Sequence, residues 1–235
     1  MSEAAVALAF FDPGRGLHGS LRSGMTLLFE HGQPQALPEG SEVTRRGDGY
    51  AASLGNRFSL SFEPLSGPLD LGGASTRMCR VTGAVGGTEV DCLGTATETE
   101  SPPSWDELDA LRGVSALFDG SHAVLALARR PRGALGHGEE RVAAWLVSGG
   151  DAKQVEDARI STVYDGDGRQ RTAGLELWMP GEDFPRRASG TAVAGTTLVL
   201  DGLRVNAAVF SWRMEGRDGA GAYELTIRDE PPEAA

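Results

Sequence analysis

The sequence predicts an all-β protein built from two consecutive antiparallel barrels or half-barrels. Two observations favour this fold class. Short runs alternate apolar with polar residues and are rich in β-branched and aromatic side chains, and Gly-rich turns separate these runs at close spacing. Helical and strand patterns do not alternate along the chain, which argues against a parallel α/β sheet.

The predicted strands follow one another from the first residues to the last apolar run. Most are six to nine residues long, as expected for strands of a sandwich or barrel. They are predicted at 5–11, 25–30, 57–63, 77–85, 88–94, 113–119, 122–128, 141–147, 158–165, 172–179, 187–195, 196–202, 204–215 and 221–228.

The Gly86-Gly87 turn predicts a hairpin that places Val81 opposite Cys92. In that register Cys79 and Cys92 lie on one face of the sheet as diagonal neighbours. The pair is interpreted as two buried thiols, with a disulfide or a reactive cysteine as alternatives. Two cysteines also fit a reducing compartment and are too few for a structural zinc site.

One short helix is predicted near residues 104–111. Pro102 and Pro103 end the preceding strand, and Ser104 with Glu107 three residues later has the pattern of a capping box. The chain then divides into two β-domains of similar size, at 1–112 and 113–228, and a disordered tail at 229–235. Residues 31–56 are rich in Pro, Gly and charges, which predicts a long loop with at most an irregular strand.

The charge of the chain argues against nucleic-acid binding. Its formal net charge is −11, whereas binding phosphates requires clustered Lys and Arg. The first apolar run is short and lacks a basic leader, and no run approaches the roughly 18 apolar residues that a membrane span needs. We therefore expect a cytoplasmic protein that does not insert into membranes.

Two acids and two histidines are the candidate catalytic groups. Glu98 and Glu100 are two residues apart, so an extended strand points both carboxylates to the same face, where burial could separate them into an acid and a base. His18 and His122 could assist proton transfer. A solvent-facing strand end for the acids and a structural role for the histidines are the alternatives.

Aromatic residues are the candidate ligand contacts. Tryptophans within β runs usually pack in a core, but several of them could also form the wall of an apolar cavity in a small barrel. The candidates for this role are Trp105, Trp145, Tyr164, Trp178 and Trp212.

Four stretches follow one another over nearly the whole chain: ALAFFDPGRGLHGSLRSG (7–24), LSFEPLSGP (60–68), CRVTGAVGGTEVDCLG (79–94) and FSWRMEGRDGAGAYE (210–224). In this order they resemble the lipocalin-like family of bacterial carotenoid 1,2-hydratases and AttH-like proteins, with fungal pericyclic cyclases as distant relatives. The resemblance implies tandem lipocalin-like barrels with an apolar pocket in or between them. It also implies water addition to, or cyclisation of, isoprenoid or polyketide-like substrates, without a metal or nucleotide cofactor.

The central motif of that family is degenerate in this chain. The motif runs Gly-x-Arg-Asp-His-Ser-Trp-Gly and precedes a Trp-Asp pair; Gly94 matches its first glycine, and Trp105-Asp106 match the pair. The residues that replace the motif from its Arg to its last Gly are Ala96, Thr97, Glu98, Thr99, Glu100 and Ser101. Because the Asp and His suited to proton transfer are missing, analogy with a hydratase is weakest here.

Three functional hypotheses follow. The first is a binding or accessory protein that holds a small apolar molecule, of terpenoid, polyketide or fatty-acyl type, in a β-barrel pocket. The second is a diverged, cofactor-independent hydratase, isomerase or cyclase, which could act by shaping its substrate and excluding water. The third is a structural module with filled cores and no ligand.

Overall fold

The computed structural model describes residues 4–228 and contains two antiparallel sheets in succession. The first sheet consists of β1 (Ala5–Asp12), β2 (Leu17–Arg22), β3 (Met25–Glu30), β4 (Gln33–Leu37), β5 (Glu42–Arg46), β6 (Gly49–Leu54), β7 (Phe58–Pro64), β8 (Leu69–Asp70), β9 (Ala74–Val85) and β10 (Thr88–Thr99). The second consists of β11 (Leu108–Asp119), β12 (His122–Pro131), β13 (Arg141–Ser148), β14 (Asp151–Gln154), β15 (Asp157–Tyr164), β16 (Gln170–Trp178), β17 (Arg186–Leu200), β18 (Leu203–Met214) and β19 (Arg217–Arg228). The predicted all-β fold class is confirmed.

Each sheet is centred on the pairing of its first strand with its last. The first has the order β4-β3-β2-β1-β10-β9-β7-β6-β5, with β8 on β9, and the second has the order β14-β13-β12-β11-β19-β18-β17-β16-β15. Both sheets curl into half-barrels. A short 3₁₀ turn at His137–Glu139 precedes β13, and no helix among residues 4–228 is long and apolar enough to cross a membrane.

The hairpin between β9 and β10 has the predicted register. Gly86 and Gly87 adopt φ angles of 57° and 84°, the left-handed region that this turn requires, and Val81 pairs with Cys92. Cys79 and Cys92 are free thiols, and burial raises the pKa of each to about 12. A raised pKa keeps the thiol protonated, which disfavours a reactive cysteine at either position.

Alternate residues of β1 serve two different cores. Leu8 and Phe10 point into the first half-barrel and belong to its own apolar core, whereas Phe11 packs in a separate cluster between the sheets, with Leu117 and Val209 of the second sheet. The central strands are therefore covered on both faces.

The interior of the second half-barrel is filled. Phe210 stacks on Trp212, with 5.2 Å between ring centroids, and lies 5.5 Å from the ring of Tyr223. Arg112 is 2% exposed and forms an ion pair with Glu140, while its Nη1 donates to the hydroxyl of Tyr223 at 3.2 Å. A buried charge is tolerated here because it is paired and hydrogen-bonded.

The helix predicted near residues 104–111 is wrong. The amide of Glu107 donates to the carbonyl of Ser104 in a single turn, and β11 begins at Leu108. Burial within β11 then follows a period of two, with Leu108 and Ala110 buried, and β12 and β19 pair with the strand on its two sides. Two ladders of backbone hydrogen bonds outweigh a local capping box, because an isolated helix this short is marginal.

The loop predicted at 31–56 is replaced by strands β4, β5 and β6. Strands β4 and β5 are the two edges of the first sheet, and almost all of their residues are exposed, so they lack the apolar alternation that identifies a strand. The change of sheet falls between Thr99 and Leu108, ahead of the predicted division at 112. The predicted tail at 229–235 lies outside the described residues.

Candidate functional site

A cavity of about 510 Å³ lies between the outer faces of the two sheets. Phe11 and Phe29 line the end where the apolar cluster joins the sheets. The opposite end is lined by Ala5, Ser101 and Pro102, which are exposed, so the cavity reaches solvent there. Residues 100–107, which connect the two sheets, therefore pass beside the opening.

Short side chains of the first sheet leave this space open. Alanines alternate along the cavity side of β1, and each pairs with a threonine of β10. The three pairs are Ala5–Thr99, Ala7–Thr97 and Ala9–Thr95. The opposite face of β1 carries Leu8 and Phe10, which fill the core of the half-barrel. Strand alternation thus gives β1 one bulky face and one face with little side-chain volume.

The second sheet also carries small residues where it faces this wall. Gly113 of β11 pairs with Leu127 of β12 and with Glu224 of β19, and Ala207 and Ala222 lie nearby on β18 and β19. The two outer faces therefore meet around the cavity without side chains long enough to fill it.

An ion pair crosses the cavity from one sheet to the other. Arg22 Nη2, on β2, donates to both carboxylate oxygens of Glu224, on β19, at 2.9 Å to Oε1 and 2.7 Å to Oε2. The charge of Glu224 raises the pKa of Arg22 above its usual value and outweighs the opposing effect of burial. Arg22 Nε is buried without a hydrogen-bond partner among the described residues.

A second arginine, Arg129 of β12, lines the cavity. Its Nη1 donates to the carbonyl of Leu71 at 3.2 Å. The guanidinium lies over the turn at Gly72 and Gly73, where a Cβ added to Gly72 would lie 2.7 Å from Nη1. Burial lowers the pKa of Arg129, and the nearby charge of Asp70 opposes that effect.

The two predicted acids lie away from this cavity. Glu98 is on the inner face of β10, where it forms an ion pair with Arg77 and its Oε2 lies 3.6 Å from Arg45 Nη1. Burial alone would raise the pKa of Glu98, but hydrogen bonds with Tyr50 and Arg77 lower it below its usual value. Glu100 is exposed to solvent.

The predicted histidines have different surroundings. His18 is 5% exposed; burial lowers its pKa to about 4, against the opposing charge of Asp12. His122 uses both ring nitrogens in a turn, because Nδ1 bonds Asp119 at 2.8 Å and Nε2 accepts from the amide of Gly149 at 3.3 Å. The ring of His122 therefore links the β11–β12 turn to the β13–β14 turn.

Three of the five predicted aromatic contacts belong to the second sheet away from the cavity. Trp212 is wholly buried in the core of the half-barrel. Trp178 lies beneath Arg159, whose guanidinium carbon is 4.9 Å from the ring centroid. Tyr164 ends β15 and is half-buried.

Of the other two aromatic residues, Trp145 joins the sheets, and Trp105 lies in the segment that connects them. Trp145 Nε1 donates to the carbonyl of Asp70 at 2.7 Å, and the carbonyl of Trp105 accepts from Arg228. None of the nine predicted site residues lines the cavity, and their roles in catalysis or binding stay predictions.

The sequence analysis did not predict the residues that line the cavity. It considered large aromatic side chains and pairs of acids as site residues. The cavity is instead created by small residues at alternate positions of adjacent strands. That signal is present in the sequence, in Ala5, Ala7 and Ala9 and again in Thr95, Thr97 and Thr99. In the part of the chain that the structure describes, no three His, Cys, Asp or Glu side chains are grouped as metal ligands would be.

The comparisons with known proteins concern the fold. No protein-family model matches the sequence, and no curated protein matches it. Kievitone hydratase from Nectria haematococca superposes on it with a TM-score of 0.56, over 96% of this chain and 88% of that one. This chain shares the fold of that hydratase. At 9% sequence identity the likeness extends to the fold alone.

A second solved structure aligns with this chain over most of the length of both proteins. It is a protein of unknown function, of the DUF3598 family, from Nostoc punctiforme PCC 73102, with 10% identity over 97% of this chain and 96% of that one. Its TM-score is 0.18, which is too low to bear on the fold.

Protonation of His18 is expected to destabilise the folded chain. Its pKa is lowered from 6.5 to about 4 in the folded state, so between these values the unfolded chain binds a proton that the folded chain does not. The free energy of unfolding should therefore fall as the pH is lowered through this window, by up to about 3 kcal/mol. Urea unfolding of the wild type and of His18→Gln at about pH 7 and about pH 4.5 measures the difference.

The His18→Gln chain should lose less stability than the wild type on acidification. His31→Asn, a substitution at an exposed turn position, serves as the control and should behave as the wild type does. Equal pH dependence in all three chains would contradict the assignment of a neutral, buried His18.

Proposed function

We propose that this chain binds a small, mainly apolar molecule in the cavity between its two sheets. The observation that carries the proposal is the apolar space of about 510 Å³ with few polar groups in its walls. Ligand sites commonly have volumes of about 300–1,000 Å³ and place a few polar groups among apolar residues. The small side chains of both sheets favour a ligand over a filled core at this position.

The distribution of polar groups supports the same proposal. Hydroxyls of Thr76 and Thr97 hydrogen-bond each other at 3.0 Å on the first sheet, while Arg22 and Glu224 pair across the space. These groups can orient a ligand, and the apolar remainder of the wall supplies the gain from removing its surface from water.

Filling the cavity should weaken binding while leaving the fold intact. Ala7→Phe projects a ring into the space beside Arg22, because Ala7 and Arg22 are paired on adjacent strands. We expect the affinity for the neutral fluorescent probe N-phenyl-1-naphthylamine to fall at least about tenfold. Fluorescence titration measures the affinity, and circular dichroism checks that the variant is folded.

Ala152→Phe provides the matched control for this change. Ala152 is an exposed residue of strand β14 outside the cavity, so the same substitution there should bind the probe as the wild type does. A folded Ala7→Phe chain with wild-type affinity would contradict the proposed location.

A cofactor-independent hydratase is the second candidate, favoured by the Arg22–Glu224 pair in the cavity and by the shared fold with kievitone hydratase. In this proposal Arg22 donates a hydrogen bond to a carbonyl oxygen conjugated with a carbon–carbon double bond. Glu224 takes a proton from water, whose oxygen bonds to the distal alkene carbon as the π electrons move towards the carbonyl. The proton then passes to the carbon next to the carbonyl, which restores Glu224.

Replacing the carboxylate tests this second candidate. With benzylideneacetone and other apolar ketones whose carbonyl is conjugated with a carbon–carbon double bond as trial substrates, Glu224→Gln should reduce water addition by roughly 100-fold or more. Mass spectrometry detects the gain of one water, and probe titration checks that the variant still binds. Glu98→Gln is the control because Glu98 lies outside the cavity.

The hydratase proposal fails if the wild type adds water to none of these ketones. It also fails if Glu98→Gln removes the activity while Glu224→Gln retains it. Binding of the neutral probe by an inactive wild type would leave the binding proposal standing alone.

A further inference from the structure

We propose that Arg129 recognises a carboxylate on the ligand, so that the cavity selects an apolar acid over the corresponding neutral compound. This inference rests on the proposed binding function and specifies the class of ligand. It follows from a difference between the two arginines of the cavity: Arg22 has an acidic partner, and Arg129 has none among the described residues.

Arg129 has no ion-pair partner among the described residues. Within residues 4–228, the hydrogen bond of its side chain is the one to the carbonyl of Leu71, at 3.2 Å, so most of its five N–H donors are unused. Asp70 is the acid whose charge reaches Arg129. However, Asp70 Oδ1 accepts from the amides of Gly72 and Gly73 at 2.7 and 3.3 Å, and it forms no ion pair with Arg129.

The turn beneath Arg129 keeps room for its guanidinium. Gly72 and Gly73 adopt φ angles of 75° and 106°, which side chains rarely allow. A Cβ at either position would also approach the guanidinium nitrogens, at 2.7 Å for Gly72 and 3.4 Å for Gly73. Because Gly73 itself lines the cavity, Arg129 reaches from the second sheet to the rim of the first at the cavity wall.

The two arginines lie on different sides of an apolar floor. Arg129 is on β12 and the partner of Arg22, Glu224, is on β19, with β11 between these strands. Two strand spacings and an offset of two residues along β11, from Leu111 to Gly113, separate Arg129 from Glu224 by about 12 Å. The intervening positions include Leu127 and Gly113, so a ligand anchored at Arg129 would lay an apolar body across this floor.

A carboxylate fits this site better than a phosphate does. One unpaired guanidinium supplies a single positive charge, which balances one carboxylate and leaves a phosphate partly uncompensated. The planar fork of arginine also matches the two oxygens of a carboxylate in a bidentate pair, and such charge-assisted bonds are stronger than neutral ones. Partial burial of Arg129 increases the gain from neutralising its charge.

A matched series of twelve-carbon ligands separates the headgroup from the apolar body. Dodecanoate, methyl dodecanoate and dodecanol are tested for displacement of N-phenyl-1-naphthylamine from the full chain at neutral pH. We expect dodecanoate to bind at least about tenfold more tightly than the ester or the alcohol. In Arg129→Gln this preference should disappear, while the affinity for the ester stays within about twofold of the wild type.

Arg213→Gln is the control, because Arg213 is an exposed arginine of β18 outside the cavity, and its variant should keep the preference for the acid. Equal binding of acid and ester by the wild type would overturn the inference, and so would an unchanged preference in Arg129→Gln. In either case binding of the neutral probe would leave the proposed function intact. Failure of the neutral probe and of all three ligands to bind would overturn both.

Discussion

Successive side chains of a β-strand point to opposite faces, and in this chain both faces of the central strands are covered. One face of β1 packs Leu8 and Phe10 into a half-barrel, and the other meets the second sheet. The outer faces are joined by large residues such as Phe11 and Leu117 at one end. Beyond them, alanine, threonine and glycine prevent the faces from closing, and the cavity follows from that difference in side-chain volume.

The interiors of the two half-barrels are filled by their own apolar cores. Trp212 and Tyr223 are wholly buried in the second half-barrel, so the large aromatic side chains that could have lined a barrel pocket instead fill a core. The space remaining for a ligand is between the barrels, where the sheets contribute charged residues as well. A charged side chain between the two sheets is costly unless it is paired. Glu224 pairs with Arg22. Within residues 4–228, no acid forms an ion pair with Arg129.

Local pattern predicted the central hairpin of the first sheet, but it predicted neither strands β4, β5 and β6 nor the site. The Gly86-Gly87 turn and the alternation around it predicted the β9–β10 register, because both signals lie within one hairpin. The capping box at Ser104 failed because pairing of β11 with the distant β19 decides that segment. Arg22 and Glu224 are 202 residues apart, so no local pattern could bring them together.

Strand alternation explains the environment of residues 94–101, the stretch that the resemblance aligned with a family motif. A Cβ at Gly94 would collide with the backbone carbonyl of Ala9 on the neighbouring strand, so this glycine serves strand packing. Thr95, Thr97 and Thr99 face the cavity, whereas Glu98 points into the half-barrel towards Arg77. Alternation therefore divides this stretch between two environments, and the threonines, not the predicted acids Glu98 and Glu100, reach the candidate site.

A crystal structure with a brominated derivative of N-phenyl-1-naphthylamine tests the location of the site most directly, because anomalous scattering identifies the bromine position. Our account predicts the bromine between the two sheets, within the cavity lined by Ala7, Thr97 and Gly113. A bromine inside either half-barrel, or bound at the outer surface with the cavity empty, would contradict it.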